Sequence, residues 1–206
     1  MIGPGEIFTI LFVTLGPLKT LGPFAQRTHG LEDAAVRRIA LWGFVIATAA
    51  AVCGSLIGRA ILAKWQVSIG ALTIAAGIIF FVVALRQLLE QYEPAAHMAP
   101  SQPLPPSPFA AAARLLFPVV LTPYGIGVVI ILLAASSETQ RTETILLLLV
   151  CVMALNLVAM LFARRILVGF TMVVLQILGA VLGVLQVALA IQFMLKGLRL
   201  LGVIAG

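Results

Sequence analysis

Uncharged apolar runs separated by short charged stretches organise the chain. Ile39 to Gly58, Val67 to Leu85, Leu115 to Ser137, Ile145 to Ala163 and Ile166 to Leu195 contain no charged residue, and each is flanked by Arg, Lys or Glu. A helix needs about 20 mostly apolar residues to cross the hydrocarbon of a bilayer, so these five runs predict transmembrane helices. A first run, Ile7 to Leu18, is too short alone. Continued through Lys19 to Gln26 it makes a further span, broken at Gly16-Pro17 and Gly22-Pro23. Six spans are therefore expected, with the first and fourth broken by Gly and Pro.

Between Glu90 and Phe109 the pattern fails. Pro94, Pro100, Pro103, Pro105, Pro106 and Pro108 crowd this stretch, and proline cannot continue a helix because it lacks the amide hydrogen and clashes with the preceding turn. The stretch predicts a linker (90–109) between a first three-helix unit (1–89) and a second (110–206). Three spans per unit invert the second relative to the first. Both units open on a span carrying two prolines, Pro17 and Pro23 in one, Pro118 and Pro123 in the other. Discontinuous helices at matching places in two inverted halves are the sequence pointer to a transporter's central site.

Composition agrees with lipid as the main solvent. Hydrophobic residues make up 62% of the 206 and charged residues 10%, with a mean hydropathy of +1.18; a soluble domain is nearer half apolar and a quarter charged. The net charge of +6 would suggest nucleic acid in a soluble protein. Here the charges lie at the ends of apolar runs, which fits bilayer topology better than a nucleic-acid patch. With the N-terminus outside, Lys19, Arg27, Arg37, Arg38, Arg86, Arg114, Arg164 and Arg165 fall on the cytoplasmic side. Arg59, Lys64, Arg141, Lys196 and Arg199 fall outside. The bias predicts both termini on the outer or periplasmic side. Met1 to Glu6 lacks the basic start of a secretory signal, so the first run is expected to be retained.

Chemistry concentrates at the breaks. Gly16, Pro17, Lys19 and Thr20 in the first, and Thr122, Pro123, Tyr124 and Gly125 in the second, are the candidate solute-binding residues, because interrupted helices release carbonyls and amides that lipid cannot satisfy. Lys19 either faces an interior cavity, where a carboxylate would be its partner, or snorkels to the interface. Thr14, Thr20, Thr122 and Tyr124 carry hydroxyls of ligand type, although such hydroxyls also bond their own backbone. Asn156 interrupts the fifth span, and Gln176 and Gln186 the sixth. Each either lines a pathway or bonds a neighbouring helix. Gly54 to Gly58 and Gly179 to Gly183 space small residues for close helix packing. Cys53 and Cys151 are expected as small core residues.

All seven acids, Glu6, Glu32, Asp33, Glu90, Glu93, Glu138 and Glu143, sit near span ends or in loops. His29 and His97 lie outside the spans, and no metal, nucleophile or phosphate-binding motif is present. The expectation is a non-enzymatic protein with no cofactor and no metal, whose partners are the bilayer and a small-molecule solute, with a homo-oligomer left open.

The segment Gly16-Pro-Leu-Lys-Thr-Leu-Gly-Pro-Phe-Ala-Gln-Arg-Thr28 resembles a motif of the MarC family of bacterial inner-membrane proteins, Asp-Pro-Ile-Gly-Asn-Ile-Pro-Ile-Phe-Leu-Ser-Leu-Thr. Pro17, Phe24 and Thr28 match without gaps. Phe117-Pro118 and Thr122-Pro-Tyr-Gly-Ile126 look like its second motif at the start of the fourth span. Lys19 stands for the family's Gly, Thr20 for its Asn, and the second proline is shifted to Pro23, which marks a variant branch. The resemblance implies a small transporter in the bacterial inner membrane, and some members are similar to carriers of neutral amino acids such as alanine and glycine. A membrane scaffold or regulator that transports nothing is the alternative.

Overall fold

The computed structural model describes residues 3–90, 104–105, 107–115, 120–136, 138–169 and 172–204, with the side chains of 18, 19, 90, 166–169, 172–176 and 178 outside that description. Eight helices are present among the described residues: α1 (Pro4–Leu15), α2 (Leu18–Arg27), α3 (Asp33–Trp65), α4 (Ile69–Glu90), α5 (Pro108–Leu115), α6 (Pro123–Ala134), α7 (Thr139–Gly169) and α8 (Met172–Leu200). No strand occurs among those residues.

Among the described residues, five helical stretches are long and apolar enough to cross a membrane: Pro4–Arg27, Asp33–Trp65, Ile69–Leu89, Thr139–Arg165 and Gly179–Leu200. The run expected as a fourth span holds α6, a shorter apolar helix, and α5 precedes it. Pro118 lies between them, outside the described residues, as does most of the linker. Pro108 and Phe109, assigned to the linker from sequence, open α5 instead; proline suits a first helical position, where its missing N–H has no helical partner to lose.

The helices overrun their apolar runs. The 33 residues of α3 extend about 50 Å at 1.5 Å per residue, well beyond a hydrocarbon core of about 30 Å. Its charged ends, Arg37, Arg38, Arg59 and Lys64, lie within helix rather than in loops. Likewise Ile166 to Gly169, read as the start of the sixth span, belong to α7, and α8 begins at Met172. Charge marks where a helix leaves hydrocarbon, and a helix can continue into water.

Local chemistry sets several ends. Ser68 Oγ accepts from the Ala71 amide at 3.2 Å and caps the start of α4. Thr122 Oγ1 accepts from the Gly125 amide at 3.3 Å and caps α6, with Pro123 at the first helical position. At the end of α1, Gly16 has φ −74° and ψ 170°. A Cβ there would run into the Phe12 carbonyl oxygen, so only glycine lets the chain leave the helix this tightly.

In the packing, α3 lies against α5, α6 and α7; α7 also lies against α1 and α2; and α6 lies against α1 and α4. The most extensive pairing is α4 with α8. Gly70 and Gly77 on α4 face Gly197 and Ala190 on α8: a Cβ on Gly197 would sit 2.8 Å from the Gly70 carbonyl oxygen, and one on Gly77 would sit 3.0 Å from that of Ala190. The seam repeats every seven residues. Of the four-residue spacings noted in sequence, Gly54 and Gly58 face Ile126 and Ile130 of α6, while Gly183 meets Leu88.

The outer faces are apolar. Val45 and Ile57 on α3, Ile78 and Val82 on α4, Leu147 and Val158 on α7, and Val181 and Val184 on α8 are all exposed. Such a surface has lipid as its natural neighbour. Cys53 and Cys151 also lie on exposed faces, which corrects the expectation of core residues. In a bilayer the outward face is as apolar as the interior, so apolar neighbours in sequence do not indicate burial.

Candidate site at the broken helix

Helix α1 stops at Leu15, and its last carbonyls have no further turn to bond. Three of them are held by side chains from three different helices of the second half. Gln186 Nε2 of α8 donates to Val13 O at 3.4 Å. Thr122 Oγ1, at the start of α6, donates to Thr14 O at 3.4 Å. Asn156 Nδ2 of α7 donates to Leu15 O at 2.6 Å.

Asn156 is nearly saturated. Its amide nitrogen also donates to Val152 O at 3.1 Å, and its Oδ1 accepts from Thr20 Oγ1 at 3.1 Å. Two carbonyls on one side and a hydroxyl on the other fix which way the amide points. The Thr20 hydroxyl divides itself between Asn156 and Pro17 O at 2.8 Å. Thr14 behaves as threonines in membrane helices commonly do, donating to Ile10 O at 2.7 Å.

Among the candidates, then, Gly16, Thr20, Thr122, Gly125 and Asn156 gather at the end of α1. A Cβ on Gly125 would collide with the Leu15 side chain, so the start of α6 abuts the first break closely. Pro17 immediately precedes α2 and is partly buried; Pro123 is exposed. Tyr124 bonds the Thr122 side chain through its hydroxyl, while its ring stacks on Phe80 of α4 at a centroid distance of 4.4 Å. The side chains of Lys19 and Gln176 lie outside the described residues. Gln186 proves to be the counterpart of Asn156 two residues back along α1. Its signal was the same, an amide in an apolar span.

The arrangement is closed. Thr14, Leu15 and Thr20 have 0% of their surface exposed and Asn156 1%, so essentially no water-sized space touches them. Cavities lie elsewhere among the described residues. One, of about 680 Å³, opens between α1 and α8 and is lined by Glu6, Thr9, Gln192 and Lys196 among others. A second, of about 550 Å³, lies among α2, α3 and α7. Among the described residues no three His, Cys, Asp or Glu come together, so none of them offers a metal-ligand set.

Arg164 of α7 closes the turn between α2 and α3. It donates to Thr28 O at 2.6 Å and Leu31 O at 2.7 Å, and pairs with Asp33 at 2.9 Å. Arg59 of α3 performs the corresponding task between α6 and α7, donating to Ser136 O at 3.3 Å and reaching Thr142 Oγ1 at 3.5 Å. Sequence assigned both arginines to topology alone.

Neither the comparison with curated proteins nor that with solved structures yields a match. The model of the MarC family of integral membrane proteins matches residues 5–201, from the first turn of α1 to just past the end of α8, and by that match, with its apolar helices, the chain belongs to the MarC family of integral membrane proteins.

Proposed function

We propose that the chain is a carrier of a small polar or zwitterionic solute, with a neutral amino acid the leading class, and that the solute binds where the end of α1 meets the start of α6. The observation that supports this best is the row of carbonyls at Val13, Thr14 and Leu15, each held by a neutral side chain from a different helix. A helix C-terminus carries partial negative charge and an N-terminus partial positive charge. An ammonium fits the α1 carbonyls, and a carboxylate fits the start of α6 beside the Thr122 hydroxyl, so no acidic residue is needed. Neutral interhelical hydrogen bonds in membranes contribute about 0.6 kcal/mol each on average. A solute can therefore replace them at little cost, provided the break contact parts to admit it.

The same proposal takes the halves as inverted repeats of three crossings, with α5, α6 and the residues between them as the fourth. Both halves run through a broken pair, a long helix and a final helix. Partners exchange accordingly: α3 packs on α5 and α6, as α7 packs on α1 and α2. The Arg59 and Arg164 contacts exchange in the same way. We place both termini outside and the linker inside, in a bacterial inner membrane, and assign no enzymatic step.

A non-transporting scaffold is the second reading, favoured by the full burial of Thr14, Leu15 and Thr20. Uptake of a panel of labelled neutral amino acids by vesicles containing the purified protein separates the two. Flux above protein-free vesicles, lowered by Thr122→Val and Pro123→Ala, is expected; Lys19→Met lowers it only if the ammonium faces the solute. If folded protein gives no flux across the panel, and a cysteine placed at Thr14 stays unreactive to a small permeant thiol reagent, the scaffold reading replaces transport.

A further inference from the structure

The 550 Å³ cavity among α2, α3 and α7 has no part in the carrier site. Its floor is apolar and buried, made of Phe24, Val36 and Met160. Its rim is basic, with Arg37 from α3 and Arg164 and Arg165 from α7, and it includes one carboxylate, Asp33. These charges are not equivalent. Arg164 is committed to Asp33, Thr28 O and Leu31 O, and in that pairing it neutralises Asp33. Arg37 and Arg165 have no hydrogen bond or ion pair among the described residues. Beside them, on the same cavity, Leu161 is 39% exposed and Phe162 44%.

Two uncommitted guanidiniums next to exposed leucine and phenylalanine, at the ends of apolar helices, make a site that is anion-binding on one side and apolar on the other. A soluble anion has no use for Leu161 and Phe162, and an acyl chain alone has none for the arginines. We infer that this cavity binds an anionic phospholipid, with Arg37 and Arg165 on the phosphodiester and an acyl chain against Leu161 and Phe162. The planar guanidinium donates two parallel hydrogen bonds to phosphate oxygens, and basic pockets between membrane helices are suited to anionic headgroups. Because Arg37 is on α3 and Arg165 on α7, one lipid spans both halves of the chain.

Native mass spectrometry of the purified full-length protein tests this, with dioleoyl phosphatidylglycerol, dioleoyl phosphatidylcholine and inorganic phosphate as separate probes. The expected result is one retained phosphatidylglycerol at concentrations where phosphatidylcholine leaves none. The double variant Arg37→Gln/Arg165→Gln should weaken that binding about thirtyfold, from roughly a fivefold factor per basic residue at the membrane surface. Lys64→Gln, at the far end of α3, should not change it. Both arginines of the double variant are exposed, and an unchanged melting temperature certifies its fold. Equal retention of the two lipids, or a double variant that binds like the parent, would overturn the proposal. So would displacement of phosphatidylglycerol by inorganic phosphate at low millimolar concentration, which would assign the site to a soluble anion.

Discussion

Replacing Asn156 with leucine, which has the same branched shape and number of side-chain heavy atoms, removes the amide that holds the end of α1. Three contacts go: to Leu15 O at 2.6 Å, to Val152 O at 3.1 Å and from Thr20 at 3.1 Å. They are unequal. Val152 lies within α7, where the helix's own ladder serves its carbonyl, and Thr20 keeps Pro17 O at 2.8 Å. Leu15 O loses its side-chain donor in a place without water, as Leu15 is 0% exposed. A buried polar group left unsatisfied costs about 1–3 kcal/mol, while interhelical bonds in membranes average about 0.6 kcal/mol. The expected loss is therefore about 1–2 kcal/mol. Reversible unfolding in mixed micelles, followed by helical circular dichroism, measures it. Thr20→Val alone should cost less, and the double variant should fall short of additivity by about 0.5 kcal/mol because both changes remove the same bond. A loss below about 0.3 kcal/mol for Asn156→Leu, or strict additivity with Thr20→Val, would refute the idea that this amide holds the broken helix end.

Other positions yield equally direct outcomes. Gly16→Ala should prevent accumulation of folded protein, since its Cβ would meet the Phe12 carbonyl; Gly22→Ala, with nothing within 4 Å, should be neutral or stabilising by up to about 1 kcal/mol, and size-exclusion profiles of the two read the contrast. Gly197→Val should open the α4 and α8 seam, where even a Cβ comes 2.8 Å from Gly70 O, and lower stability by about 1–3 kcal/mol or more in the same unfolding assay. Arg164→Gln should free the turn between α2 and α3, read as faster amide exchange at Thr28 to Asp33. A cytoplasm-only reporter fused after Gly206 should be inactive, and strong activity would reverse the proposed topology.

The break at Gly16-Pro17 was legible because glycine and proline act through the backbone, whose constraints need no tertiary context. Asn156 and Thr122 were legible as polar groups in apolar surroundings. Their partners were not, since which carbonyl an amide meets depends on how helices from opposite halves dock. Tyr124 illustrates the limit: its place beside Thr122 suggested a shared site, and its hydroxyl does bond Thr122, but nothing in the sequence pointed to Phe80 as the partner of its ring. The cysteines misled because hydropathy cannot separate a lipid-facing surface from a core. The seam of Gly70, Gly77, Ala190 and Gly197 was hidden by a search for four-residue spacings, although a seven-residue period brings the same helix face back to an antiparallel neighbour.

That seam also bears on the order in which the molecule is made. More than a hundred residues separate Gly70 and Gly77 from Ala190 and Gly197. During synthesis α4 therefore enters the membrane with its glycine face unpaired, and stays so until α8 follows. Closure of the most extensive helix pair must therefore wait for more than a hundred further residues, and a ribosome stalled before Gly183 would leave α4 a substrate for membrane quality control.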